Sequence, residues 1–142
     1  MKLFIVDETT QAQAFCAKRI EAFSQNDIET LDLQVEAMSQ YDVMDNLDEA
    51  DVLVIGSGLG EGAISLAKEA LTAVPWMHII LYVTDEAYGG GAFRAAHSAG
   101  VRKVFPDSAN PLDLLQELVA VHAEFKREGR TKEGKVLSLI HI

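Results

Sequence analysis

Only one cysteine and three prolines occur in 142 residues, and each scarcity excludes something. A lone Cys16 cannot close an internal disulfide, and without companion Cys or His at ligand spacing it cannot build a zinc site. Its ordinary role is that of a small buried hydrophobe. Low proline, with ten glycines, 49% hydrophobic and 24% charged residues, excludes a disordered or collagenous chain. No apolar run approaches the roughly 20 residues that cross a bilayer. The opening MKLFIVDETT turns acidic before a signal-peptide core could form. Positive charge is short as well: 12 Lys and Arg stand against 22 Asp and Glu, a formal net charge of -10. Such a chain repels a phosphate backbone instead of releasing its counterions, which argues against nucleic acid as a partner. What remains is a packed, cytoplasmic protein the size of one domain, with no membrane span.

The elements alternate. Lys2–Val6 is a short β-rich run that halts at Asp7 and Glu8, as a buried parallel strand would. Thr9 or Thr10 can cap a helix carrying Ala14, Phe15, Cys16, Ile20 and Phe23. Leu31, Leu33 and Val35 alternate with Asp32 and Gln34, predicting a half-exposed edge strand. Met38, Tyr41, Met44 and Leu47 recur every three residues and predict a short helix. Residues 51–55 (DVLVI) form a third strand, followed by the glycine-rich loop 56–62. A helix then carries Ala63, Ile64, Ala67, Ala70, Leu71 and Val74, and Pro75 stops it. His78–Val83 (HIILYV) reads as a fourth strand with Thr84, Asp85 and Glu86 at its carboxyl end. Helix 91–98, strand 101–105 and a helix opened by Pro111 complete the series, the last with a stripe of Leu112, Leu115, Leu118, Val119, His122 and Phe125.

Five strands alternating with helices imply an α/β protein with a parallel sheet covered on both faces. Ligand or control chemistry then belongs at the carboxyl ends of the strands, where Asp7, Glu8, Gly56, Ser57, Thr84, Asp85, Pro106 and Asp107 lie.

Three stretches carry a family likeness: the acidic pair after strand one (FIVDE), the Thr closing strand four (LYVT), and the block AFRAAHSAGVRKVFPDSANPLDLLQEL. Over roughly residues 2–125 the sequence resembles the receiver domain of two-component response regulators. The resemblance implies a flavodoxin/CheY-like doubly wound sheet of order 2-1-3-4-5. A working receiver holds magnesium on an acidic pair, accepts phosphate on an aspartate after strand three, and presents a hydroxyl after strand four and a lysine after strand five. Laid on this chain, the pattern places Asp7 and Glu8 at the magnesium pair and Thr84 at the hydroxyl. The phosphate-accepting position, five residues on from Asp51, falls on Gly56, and the lysine position falls on Asp107. Glycine has no nucleophile, and a carboxylate replaces the needed cation. The pocket of Asp7, Glu8, Gly56, Ser57, Thr84 and Asp107 is thus expected to be degenerate and not to accept phosphate. No cofactor is expected beyond the Mg2+ that Asp7 and Glu8 could still hold. Carboxylates at a strand's end also serve simply as solvated groups or helix caps, and a strand threonine can bond a neighbouring loop.

Receivers commonly pair through the fourth helix, fifth strand and fifth helix, here roughly 91–125. Phe93, Val104 and Leu112 are apolar near that face, although such residues also build cores. A second resemblance follows the polar stretch KREGRTKEG (126–134). The run KVLSLIHI (135–142) looks like the first strand of another domain. In pilus-assembly proteins of the TadZ/CpaE type, an atypical receiver is joined by such a linker to a MinD/ParA-like ATPase. This implies a receiver-like domain over 1–125, a linker over 126–134 and a truncated ATPase strand over 135–142. The alternative is that the run is an edge strand or ordered tail of a free-standing domain.

A rival reading rests on residues 58–63, which satisfy the G-x-G-x-x-A dinucleotide pattern and would make loop 56–62 a nucleotide or flavin site. The context differs, since that fingerprint follows a first strand, and Glu61 would meet a pyrophosphate with like charge. His78, His97, His122 and His141 show no ligand spacing, and Ser57 lacks the flanks of a nucleophile elbow. The expected function is a non-catalytic interaction domain that forms a homodimer or docks a protein partner and positions an attached ATPase in pilus assembly or polar localisation. The alternatives are a stand-alone signalling receiver or a flavodoxin-like cofactor domain.

Overall fold

The computed structural model describes residues 1–7, 18, 34–60 and 62–128. The expected first helix, with Glu8 and Cys16, and the run 135–142 lie outside the described residues.

β1 (Lys2–Val6) is followed by β2 (Gln34–Met38), α1 (Gln40–Val43) and a 3-10 turn, Met44–Glu49. Next come β3 (Val52–Ile55), a 3-10 turn at Ser57–Leu59, α2 (Gly62–Ala73) and β4 (His78–Val83). Two short helices, α3 (Asp85–Gly89) and α4 (Ala92–Ser98), precede β5 (Lys103–Pro106) and the long α5 (Pro111–Glu128). All four strand pairings are parallel, in the order β2-β1-β3-β4-β5. Sequence and structure agree on this order.

Apolar runs dictate the layers. Leu3, Phe4, Ile5 and Val6 are all fully buried, as are the four residues of β3, because a central parallel strand is covered on both faces. Side chains alternate between the two sides. Phe4, Val6, Leu53, Ile55, Ile79 and Leu81 pack with Ala63, Leu66, Ala67 and Ala70 of α2. Leu3, Ile5, Val52, Val54, Ile80 and Tyr82 pack on the opposite side with Leu114, Leu118, Val121 and Phe125 of α5.

Several expectations need correction. The second strand lies at Gln34–Met38, beyond the Leu31–Leu33–Val35 alternation, and its exposed Gln34, Glu36 and Ala37 mark it as an edge. The expected helix around Tyr41 is a four-residue helix running into a 3-10 turn. Val43 and Leu47 are its buried residues, while Tyr41 is 79% exposed. Ser39 sets the start, its hydroxyl accepting from Asp42 N at 3.1 Å. The α5 stripe is displaced too: Leu114 and Val121 join Leu115, Leu118 and Phe125 in the core, whereas Leu112 and Val119 face outward. This helix carries apolar residues on more than one face, and packing on the sheet selects which face is buried. It also runs through Lys126 and Arg127, whose charges suit a helix C-terminus.

One half-buried polar cluster ties α5 to the sheet at the start of β4 and β5. Arg102 Nε donates to Glu117 Oε2 and its Nη2 pairs with Glu124 Oε2, both at 2.5 Å. Arg102 Nη1 lies 3.3 Å from His78 Nδ1, and the His78 ring packs on Phe125 at 5.3 Å. Burial lowers the guanidinium pKa, but hydrogen bonds to Glu124 and Glu117 outweigh it and raise it overall.

Candidate functional site

The strands deliver their last residues to one end of the sheet. Gly56 follows β3, and its N–H donates to Val6 O at 2.7 Å, so the backbones of β1 and β3 stay paired up to Asp7 and Gly56. Asp7 is only 6% exposed. Its carboxylate lies over the Gly56 Cα on the side where a side chain would project, so a Cβ there would overlap it. Only glycine fits this close approach.

Across the sheet, Ser57 Oγ donates to Asp107 Oδ2 at 2.8 Å. Asp107 is held by its own N–H, which donates to Val83 O at 2.9 Å and carries the β4–β5 ladder one residue past Pro106. Thr84 Oγ1 accepts from Ala87 N at 3.1 Å and caps α3. Asp85 Oδ1 accepts from Ser108 N at 3.0 Å, pinning the β5–α5 loop to α3. The structure therefore gathers Asp7, Gly56, Ser57, Thr84 and Asp107 at one end. Glu8 lies outside the described residues.

This end of the sheet holds no nucleophile at Gly56 and no lysine at Asp107. Its described side chains include the carboxylates Asp7, Asp85, Glu86 and Asp107. Asp7 is buried against Gly56 and Asp107 is engaged by Ser57, and among the described residues, which leave out Glu8, no group of three Asp, Glu, His or Cys could hold a metal ion.

Sequence reasoning missed α3 and with it the capping role of Thr84. The signal was there, since Thr followed by Asp and Glu is a helix start. Five residues interrupted by Gly89, Gly90 and Gly91 were too few to show a period.

Of the expected interface residues, Phe93 is 40% and Leu112 38% exposed. Val104 is buried among the core residues against α2 and α4, so it belongs to the core and not to that face. Tyr88 adds a second exposed ring, 6.1 Å from Phe93.

The five-stranded order, the all-parallel pairing and α5 across one face match solved structures over most of the chain. The receiver domain of AraT, a response regulator from Geobacillus stearothermophilus, superposes with a TM-score of 0.70 at 18% identity, covering 91% of this chain and 98% of that one. The fold is that of a receiver domain. A CheY-like receiver domain protein from Methanospirillum hungatei gives 0.67 at 18% identity, over 90% of this chain and 98% of that one. A putative pilus assembly-related protein from Burkholderia pseudomallei gives 0.63 at 19% identity, over 85% and 90%. No protein-family model and no curated protein matches the sequence. Among the described residues of this receiver fold, no helix is long and apolar enough to cross a membrane.

Proposed function

We propose that this chain is a non-catalytic receiver-fold interaction domain that works without phosphorylation and pairs with a second copy of itself. The observation that carries the reading is the Gly56 position: the acceptor side chain is absent, and the Asp7 carboxylate fills the space it would need. Asp107, bound to Ser57, supports it by placing negative charge where a phosphoryl group would require a cation. On this reading the domain uses no magnesium and no nucleotide.

Pairing would use the face of α4, β5 and α5. Phe93 and Leu112 are exposed there, with Tyr88 of α3 beside Phe93, and roughly 800 Å² per partner would suffice for a stable dimer. The pilus setting is supported by the Burkholderia neighbour and by the likeness of KVLSLIHI to an ATPase first strand. In that setting the paired domain would position an attached MinD/ParA-like ATPase.

Incubation with acetyl phosphate and magnesium, followed by intact-mass analysis, tests the central claim. No added phosphate is expected, and a stoichiometric adduct stable at neutral pH would overturn it. Sedimentation tests pairing separately. A dimer that Phe93→Glu dissociates is expected, and a monomer at high concentration would defeat that part.

A further inference from the structure

Next to the strand ends, a cavity of about 250 Å³ opens between α2 and the α3–α4 pair. Its walls come from Ile64 of α2, Leu81 and Val83 of β4, and Ala87, Ala92 and Ala95 of the two short helices. The three alanines create the space, because larger side chains at those positions would fill it. Ser57 and Thr84 add hydroxyls, and no Lys or Arg is among its lining residues.

Among the described residues no charged one lines the cavity, but carboxylates adjoin the residues of its polar end. Ser57 is hydrogen-bonded to the Asp107 carboxylate, and Thr84 is followed directly by Asp85, whose carboxylate accepts from Ser108 N. Each carboxylate takes one of these bonds, and a carboxylate has about four lone-pair sites. Acceptor capacity therefore remains beside an apolar recess. Between Ala87 and Ala92 the chain passes through Gly89, Gly90 and Gly91, the last at φ 88°, a backbone that joins α3 to α4 without side chains.

We infer that this recess is a binding site for a small ligand with one compact apolar group and a protonated amine, the apolar group lying among Ile64, Val83 and the alanines and the ammonium reaching past Ser57 to Asp107. Size sets the class. The volume falls below the roughly 300–1,000 Å³ of drug-sized sites, so one ring with a short chain fits and a nucleotide does not. Charge sets the head group, since an anion would meet the same carboxylates that disfavour phosphate. The cavity shares α3 and α4 with the proposed pairing face, but Phe93, Tyr88 and Leu112 are not among its lining residues, and its test reads ligand binding directly and so does not depend on that reading.

The test is amide-resolved NMR on the full chain, titrated with phenethylamine, the similarly shaped anion hydrocinnamate, and the neutral phenethyl alcohol. Saturable shifts centred on Ser57, Thr84, Ala87 and Ala95 are expected with the amine. The amine should bind at least about tenfold more tightly than the anion, with the alcohol between them. Ala95→Phe should abolish the shifts, and Ala87→Leu gives an independent filling variant, each checked for a native amide spectrum. Asp107→Asn should bring the amine's affinity toward the alcohol's. Failure of all three probes to shift these amides, equal binding of the anion, or retention of binding in both folded filling variants would overturn the assignment.

Discussion

The Asp7 carboxylate occupies the space that any side chain on Gly56 would need: a Cβ built there would overlap Asp7 Oδ2 and lie 2.9 Å from the Asp7 Cβ. Both residues are anchored by paired strands, so neither can move aside cheaply. Gly56→Ala should therefore destabilise the domain by about 1–3 kcal/mol, the usual cost of overpacking. Asp7→Ala should remove most of that penalty, giving a favourable coupling in a double-mutant cycle of thermal or urea unfolding. The same geometry means that Gly56→Asp alone does not recreate a phosphate acceptor, since two carboxylates would compete for one site. A Gly56→Ala variant as stable as the wild type, with no coupling to Asp7, would sink this account.

How much of this was readable beforehand depended on which force set each feature. The sheet order and the placement of Asp7, Gly56, Ser57, Thr84 and Asp107 follow from long apolar runs ending in polar residues, a pattern that buried parallel strands impose directly. His78–Val83 was legible to the residue for that reason. Features set by packing between elements were not legible. Nothing local distinguishes Leu112 from Leu114, and only the sheet beneath α5 makes one exposed and the other core. Likewise the absence of an acceptor at Gly56 could be counted along the chain, but the carboxylate of Asp7 filling its place is a contact between β1 and β3 that no spacing encodes.

Thr84 serves as a helix cap, its hydroxyl accepting from Ala87 N. Thr84→Ala should cost about 1 kcal/mol and speed amide exchange at Ala87, whose N–H loses its acceptor. Thr84→Asn and Thr84→Asp should restore much of the loss, because either side chain can accept the same bond. If the alanine variant is unchanged in both readouts, the cap contributes nothing.

His122 has its pKa lowered, first by burial and then by the positive charges of Lys126 and the N-terminus. The folded state therefore disfavours the protonated ring. Below the ordinary histidine range the unfolded chain binds the proton more readily than the folded one, so stability falls with pH until the folded ring titrates as well. His122→Gln removes this difference. Its thermal midpoint should drop less than that of the wild type between about pH 7.5 and about pH 5.5. Equal drops in the two proteins would exclude a contribution from His122.

Arg102 holds two carboxylates of α5, Glu117 and Glu124, which sit seven residues apart and so fall on one face of the helix. The three side chains are about one-fifth exposed, so solvent screens the pair only in part. Arg102→Met keeps most of the apolar stem but leaves both carboxylates without their cation. The expected loss is roughly 1–2 kcal/mol, less than for a fully buried pair, and a thermal midpoint lower by several degrees. The pH dependence gives a sharper check. The hydrogen bond from Arg102 holds the Glu124 carboxyl below the usual glutamate range, against a smaller opposing effect of burial. A depressed folded pKa means that the unfolded chain takes up the proton first as pH falls. The stabilisation is thus complete above the ordinary glutamate value and fades below it, down through the lowered value. Wild type and Arg102→Met should differ most near neutral pH and converge in acid. Glu124→Gln should show the same convergence with a smaller gap, because Glu117 still holds Arg102. A constant gap across the acid range would assign the loss to packing of the arginine stem instead of to its charge.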